Sequence, residues 1–234
     1  MFVHLDHLNK VDLETETVEG TRYYRVPSGG LYPSITSVTS FYNRKIFEDW
    51  KNKVGEEESE RITRIATTRG TAFHDVVEKY LRNEDVIKDK SILPLTKFLF
   101  VSARPYLNRI NNIHALESAL YSDYLGIAGR VDCIAEYEGE LAVIDFKTSK
   151  KIKPEKWIEN YFVQETAYAC MYYEMTGIPV KKLITIMVAD NGECFVYEKR
   201  NKDHYIKLLT KYIGEFNSHH PRDYAKHGTG KRPD

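Results

Sequence analysis

Three charged residues interrupt what otherwise reads as an apolar hairpin: Asp132 in "GRVDCIAEY", and Asp145 and Lys147 in "LAVIDFKTS". Side chains alternate across a strand, so Asp145 and Lys147 share one face while Phe146 points to the other. With Glu138-Gly139 as a two-residue turn, the register sets Asp132 opposite Asp145, with Cβ atoms ~5 Å apart. Facing carboxylates repel, and burying them uncompensated costs several kcal/mol. A divalent cation removes that penalty, and hard oxygen donors select Mg²⁺ or Mn²⁺, as one ion or two. Lys147 would then stand beside the metal, placed to orient or deprotonate a water and to stabilise charge building on a phosphate. The same register puts Arg130 opposite Lys147, a repulsion that an intervening phosphate would relieve, as would a bulge that shifts the pairing. A lone Asp-x-Lys is short and common, and in most chains is an ordinary ion pair at a strand end. The opposed Asp132 sets this one apart.

Further polar residues fall at helical spacing. In "RGTAFHDVVEKYL", His74 and Glu78 are four apart and share a helix face. His74 is the candidate metal ligand, with Glu78 orienting it or acting through a water. The imidazole tilts the choice towards Mn²⁺. In "WIENYFVQETAYACMYY", Gln164 and Tyr168 repeat the spacing on the helix after the Lys147 strand. They are candidates to hold a nucleic-acid backbone or to support Lys147, against the plainer role of a polar helix edge.

The elements that must position these groups can be read from periodicity. "VDLETETVEGTRYYRVP" alternates around Glu19-Gly20 as a hairpin. Ser34 or Thr36 caps a helix expected to run on to Trp50 and Val54. Helices are expected over 62–81, 93–113, 155–175 and 203–218, and strands over 116–124, 129–137 and 140–148. A strand pair follows from "KKLITIMVAD", Asn191-Gly192 and "CFVYEKR". The order gives an α/β fold, a mixed central β-sheet flanked by helices. A single domain over 1–234 is expected, with 1–60 as an N-terminal elaboration of hairpin and helix, 61–218 as the core and 219–234 as a frayed tail.

Across all 234 residues, Lys+Arg and Asp+Glu are 34 each, so the formal net charge is zero. That excludes a binder that depends on bulk positive charge, but not an enzyme whose basic residues line one groove. Seventeen tyrosines offer surfaces for base stacking. Three scattered cysteines in no CxxC spacing argue against an iron–sulfur cluster. With no apolar run near ~18 residues and no leader in view, the expected setting is cytoplasmic, away from the membrane.

Taken in chain order, G-x-x-x-H-x-x-x-E, G-x-x-D, D-x-K and Q-x-x-x-Y resemble the RecB-like branch of the PD-(D/E)xK nuclease superfamily. "ALESALYSDYLGIAGRVDCIAEYEGELAVIDFKTSKK" looks closest to the mitochondrial genome maintenance exonucleases and their phage and bacterial relatives. "YPSITSV" is similar to their N-terminal region. The resemblance spans roughly residues 30 to 215 and is motif-specific between 117 and 151. It implies a restriction-endonuclease-like core and a metal-dependent exonuclease acting on single-stranded DNA in replication, repair or recombination. Metal would be held by His74, Asp132, Asp145 and the backbone carbonyl of Phe146, with Lys147 as the catalytic lysine. Ser34, Thr36, Arg130, Thr148, Ser149, Gln164 and Tyr168 would contact DNA, and replication or recombination proteins would be partners. Val131 stands where the superfamily name has proline, and the iron–sulfur members' cysteine cluster is missing. No mitochondrial leader is seen, which points to a bacterial cell or phage-infected host. The competing readings are a nuclease fold kept as a non-catalytic DNA- or partner-binding platform, and a structure-specific endonuclease. Hydrolysis of a small phosphate compound has no Gly-rich loop to support it.

Overall fold

The computed structural model describes residues 1–5, 8 and 12–220. Most of the tail expected over 219–234 lies outside the described residues. The N-terminal hairpin forms as read, β1 (Thr15–Val18) against β2 (Thr21–Arg25), with β3 (Leu31–Pro33) added to β2. Ser34 then caps α1 (Ile35–Tyr42) by accepting a hydrogen bond from the Ser37 N–H. The helix expected to reach Val54 in one piece is broken at Asn43, after which α2 (Arg44–Val54) begins. Gly55, at φ 90°, turns the chain into α3 (Glu56–Leu81), 26 residues and about 39 Å long. Three glutamates in its first turn complement the positive end of the helix dipole.

α4 (Pro94–Leu107) starts on a proline, as expected, but stops well short of 113. Ile110, Ile113 and Ala115 instead enter β4 (Ile110–Ser122), where their side chains are buried by the sheet. β5 (Ile127–Tyr137) and β6 (Glu140–Ser149) follow. The expected helix over 155–175 divides into a single 3₁₀ turn, Glu155–Trp157, and α5 (Glu159–Thr176), which ends on left-handed Gly177. β7 (Lys182–Ala189), β8 (Cys194–Lys199) and α6 (Asp203–His219) complete the described chain.

The five-stranded sheet runs β4-β5-β6-β7-β8, antiparallel except for the parallel β6–β7 pair made by the α5 crossover. Burial on both faces explains the unbroken apolar runs of β6 and β7. One face packs on α5, α6 and α1 through Val143, Phe162, Tyr168, Tyr172 and Phe216. The other packs on α3 and α4 through Phe73, Val77, Leu99, Ile144 and Phe146. This is the mixed, helix-flanked α/β architecture read from the sequence. Among the described residues, no helix is long and apolar enough to cross a membrane.

Candidate active site

The β5–β6 turn is Glu138-Gly139, with φ of 56° and 81°, the paired positive values of a tight two-residue hairpin. Pairing follows the expected register from Tyr137↔Glu140 to Cys133↔Ile144 and then stops. The next pair would have been Asp132 and Asp145. Beyond that point β5 stays with β4 and bridges to Ser34 through Ala128, so β6 loses a partner along its edge. In a strand the N–H and C=O of one residue point the same way, and here those of Phe146 point into the space β5 has left. Both find side chains instead. The Phe146 N–H donates to Asp132 Oδ2 at 2.9 Å, and its carbonyl accepts from His74 Nε2 at 2.7 Å. His74 Nδ1 lies 3.6 Å from the same Asp132 oxygen.

Glu117 of β4 completes this corner, and sequence reasoning missed it. It takes a left-handed φ of 47° inside a strand, between the pairs Leu116↔Cys133 and Ser118↔Val131, which puts it opposite Asp132. Ligand atoms of His74, Glu117 and Asp132 all lie within 4.8 Å of one another. Burial, helped by the Asp132 charge, pushes the Glu117 carboxyl up to about 7. The expected strands 116–124 and 129–137 set Tyr121 opposite Asp132; the observed turn over 123–126 shifts the register and brings Glu117 to that place.

Asp145 and Lys147 sit behind the same peptide, on the face towards α5. Asp145 is 2 % exposed, and its Oδ2 has the Lys147 ammonium against it but no donor aligned for a hydrogen bond. Burial raises its carboxyl to about 6, with Lys147 pulling down and Asp132 pushing up. For Lys147, burial favours the neutral amine, but Asp145 and Asp132 together outweigh it and hold the ammonium well above the usual lysine range. With no ion beside it, the amine is thereby held as a cation against Asp145. Its Nζ lies 5.2 Å from the centre of the Tyr161 ring. Glu165 of α5, also unforeseen, is fully buried, accepts a hydrogen bond from Thr185 and has its second oxygen unpartnered. Burial holds it protonated far above the ordinary carboxyl range.

Several expected roles fit the geometry differently. Glu78 does not orient His74: its Oε1 takes both the Nε and an Nη of Arg82, one turn on, at 3.0 and 2.8 Å. Ser34 is 1 % exposed, with its hydroxyl spent on the cap of α1 and on Thr36 and Ser37, so it offers nothing to a nucleic acid. Thr36 beside it is exposed. Arg130 does not face Lys147, because the ladder has ended; its guanidinium donates to the Glu117 carbonyl and lies 3.6 Å from Asp12. Tyr168 is 2 % exposed and takes a hydrogen bond from Gln164 at 3.3 Å, a supporting rather than a DNA-facing position. Its ring lies on Gly129, where an added Cβ would come within 2.9 Å of Cε1 and 3.1 Å of the hydroxyl. The Gly of G-x-x-D and the Tyr of Q-x-x-x-Y are thus one packing unit. Thr148 Oγ1 accepts from Arg69 Nε at 3.2 Å, an arginine that also grips Asp190 through two oxygens. Ser149 is buried.

Residues 42–212 match the family model of the PD-(D/E)XK nuclease superfamily. The chain belongs to that superfamily. It is 32% identical over 142 residues to mitochondrial genome maintenance exonuclease 1 of Homo sapiens, covering 57% of this chain and 39% of that protein. The same-named protein of Mus musculus is 33% identical over 132 residues, covering 52% and 39%. That of Xenopus tropicalis is 31% identical over 172 residues, covering 65% and 48%. The chain therefore matches less than half the length of these relatives.

The donor set suits the divalent ion that this superfamily uses. Two carboxylates, an imidazole and a peptide carbonyl converge on one corner, and a buried Asp145 oxygen lacks a hydrogen-bond partner beside it.

Proposed function

We propose that this protein is a Mg²⁺- or Mn²⁺-dependent exonuclease that hydrolyses phosphodiester bonds in single-stranded DNA, with residues 61–218 as the core of one nuclease domain. The observation that carries this reading is the convergence of His74, Glu117 and Asp132 within 4.8 Å, with Lys147 and Asp145 behind the peptide that joins them. His74, Glu117, Asp132, Asp145 and the Phe146 carbonyl are the groups that would hold the ion. A divalent ion there would polarise a phosphoryl oxygen and lower the pKa of a bound water. The protein's own residues do the rest. Lys147, kept protonated by Asp145 and Asp132, presents a positive charge to the phosphate as negative charge develops. Asp132 holds the Phe146 N–H and His74 the Phe146 carbonyl, so the backbone on both sides of this residue is fixed. Gln164 holds the Tyr168 hydroxyl, and the Tyr168 ring braces Gly129 three residues before Asp132. The exonuclease and single-strand components rest on the similarity to the maintenance exonucleases, whose name states that activity.

Labelled linear and circular single strands of one sequence, incubated with Mg²⁺ or Mn²⁺, provide the test. The expected result is degradation of the linear strand, sparing of the circle, and loss of cutting with Asp145→Ala or Lys147→Ala. Equal cutting by both variants would show that the chemistry lies elsewhere, and cutting of the circle would make the enzyme an endonuclease.

A further inference from the structure

The segment after the catalytic lysine concentrates charge that the rest of the chain balances. "KTSKKIKPEK", residues 147–156, holds five lysines and one glutamate in a protein with equal numbers of basic and acidic residues. The glutamate, Glu155, is taken by an ion pair with Lys199, so the positive charge of the segment is not cancelled within it. Lys150 and Lys151 are exposed. Lys153 donates to the Tyr161 hydroxyl at 3.0 Å, and its Nζ lies 5.5 Å from the centre of the ring that Lys147 approaches from the other side of the segment. Lys153 and the active-site amine thus share one ring.

At the end of the ridge stands Trp157, 67% exposed. Its support is rigid. The 3₁₀ turn is closed by hydrogen bonds from Trp157 N–H to the Pro154 carbonyl at 2.9 Å and from Ile158 N–H to the Glu155 carbonyl at 3.0 Å, and Ile158 is fully buried. Leaving so large an apolar ring in water forgoes the gain of burying it. A flat aromatic on a fixed turn, beside a row of ammonium groups, is the combination that binds single-stranded nucleic acid without sequence preference. Cations track the phosphates and the ring takes a base. Within a duplex the bases are already stacked on one another, so only its end pairs offer a free face to the ring.

We propose that Lys150, Lys151 and Trp157 form a track for the substrate strand beside the active site, with an unpaired base stacked on Trp157. This rests on the nuclease reading above and adds to it the residues that select single strands. The chain has only two tryptophans, Trp50 and Trp157, so Trp50→Phe leaves Trp157 as the sole reporter. In EDTA, titration with a 20-nucleotide oligothymidylate is expected to quench that fluorescence, while a blunt duplex of equal length does not. By anisotropy of a labelled oligothymidylate, Trp157→Ala should bind about tenfold more weakly and Trp157→Phe nearly as well as the parent. Lys150→Ala with Lys151→Ala should lower the salt slope by about 1.4, two single-strand phosphate contacts' worth. Binding of the oligonucleotide with Trp157 fluorescence unchanged, or equal affinity of the alanine variant, would overturn the track while leaving the nuclease reading intact. Equal quenching by duplex would overturn the single-strand selectivity, whereas binding that leaves Trp157 untouched would make recruitment of a protein partner the better account of the exposed ring. No binding and no cutting by the parent would overturn both readings.

Discussion

The two sides of the Phe146 peptide hold acidic groups under opposite conditions. Towards α3, Asp132 and Glu117 are partly open to water, and among the described residues neither carboxylate forms an ion pair with a lysine or arginine; His74 lies beside Asp132. Towards α5, Asp145 and Glu165 are sealed, one neutralised by the Lys147 ammonium and the other by holding its proton. The same residue type therefore serves two purposes a few ångströms apart. Where water can reach, carboxylates remain free to take up a cation. Where it cannot, each is compensated within the fold, Asp145 by Lys147 in the ion-free site, because a bare buried charge costs more than the fold can bear.

The sharpest way to break this contrast is to remove the compensating charge. Lys147→Ala should lower cleavage by about 10²–10³-fold, the scale of losing one positioned electrostatic group. It should also lower the melting temperature, since Asp145 is left buried and unpaired. Lys147→Ala with Asp145→Asn should recover stability without activity, as read by calorimetry alongside the cleavage assay. On the open side, His74→Ala and Glu117→Gln should each weaken Mn²⁺ binding by about tenfold or more; Glu117→Gln should not lower the melting temperature, whereas His74→Ala should cost about 1–3 kcal/mol because the Phe146 carbonyl loses its donor.

Smaller effects sharpen the sealed side. Gly129→Ala pushes a methyl into Tyr168 and Ile35 and should cost about 1–3 kcal/mol, measurable by urea denaturation. Glu165→Gln tests the buried proton. A carboxyl whose folded pKa is raised loses its proton in the unfolded chain first, so it destabilises the fold progressively as pH rises above the ordinary glutamate value. Glutamine removes that effect and can still accept from Thr185. The variant should match the parent near pH 4 and melt higher at pH 8, by about 2–4 °C for each kcal/mol recovered.

Much of this site could be read from residue spacing. The Glu138-Gly139 turn set the register that brings Asp132 to the end of the β5–β6 ladder, and the helical spacing of Phe73, Val76, Val77 and Leu81 turned His74 towards the sheet's edge. Sequence could not show that the ladder stops one pair early, because alternation and turn length set a register but not where two strands part. That separation is why Asp132 binds a peptide N–H rather than facing Asp145 directly, and why Arg130 turns to Glu117. Glu165 was hidden for another reason. An acidic residue within an amphipathic helix ordinarily faces solvent, and only the crossover from β6 to β7 puts this one over Thr185. The overextended helix at 93–113 reflects the same limit: Ile110 and Ile113 fit a helical period as well as a strand until a partner strand is supplied.

The central claim concerns an ion at the corner of His74, Glu117 and Asp132, and it can be measured without any substrate. Metal-stripped protein titrated with Mn²⁺, with free ion followed by electron paramagnetic resonance, should show tight uptake by the parent and at least tenfold weaker uptake by Asp132→Asn. Uptake of equal affinity and stoichiometry by the two proteins would contradict the account.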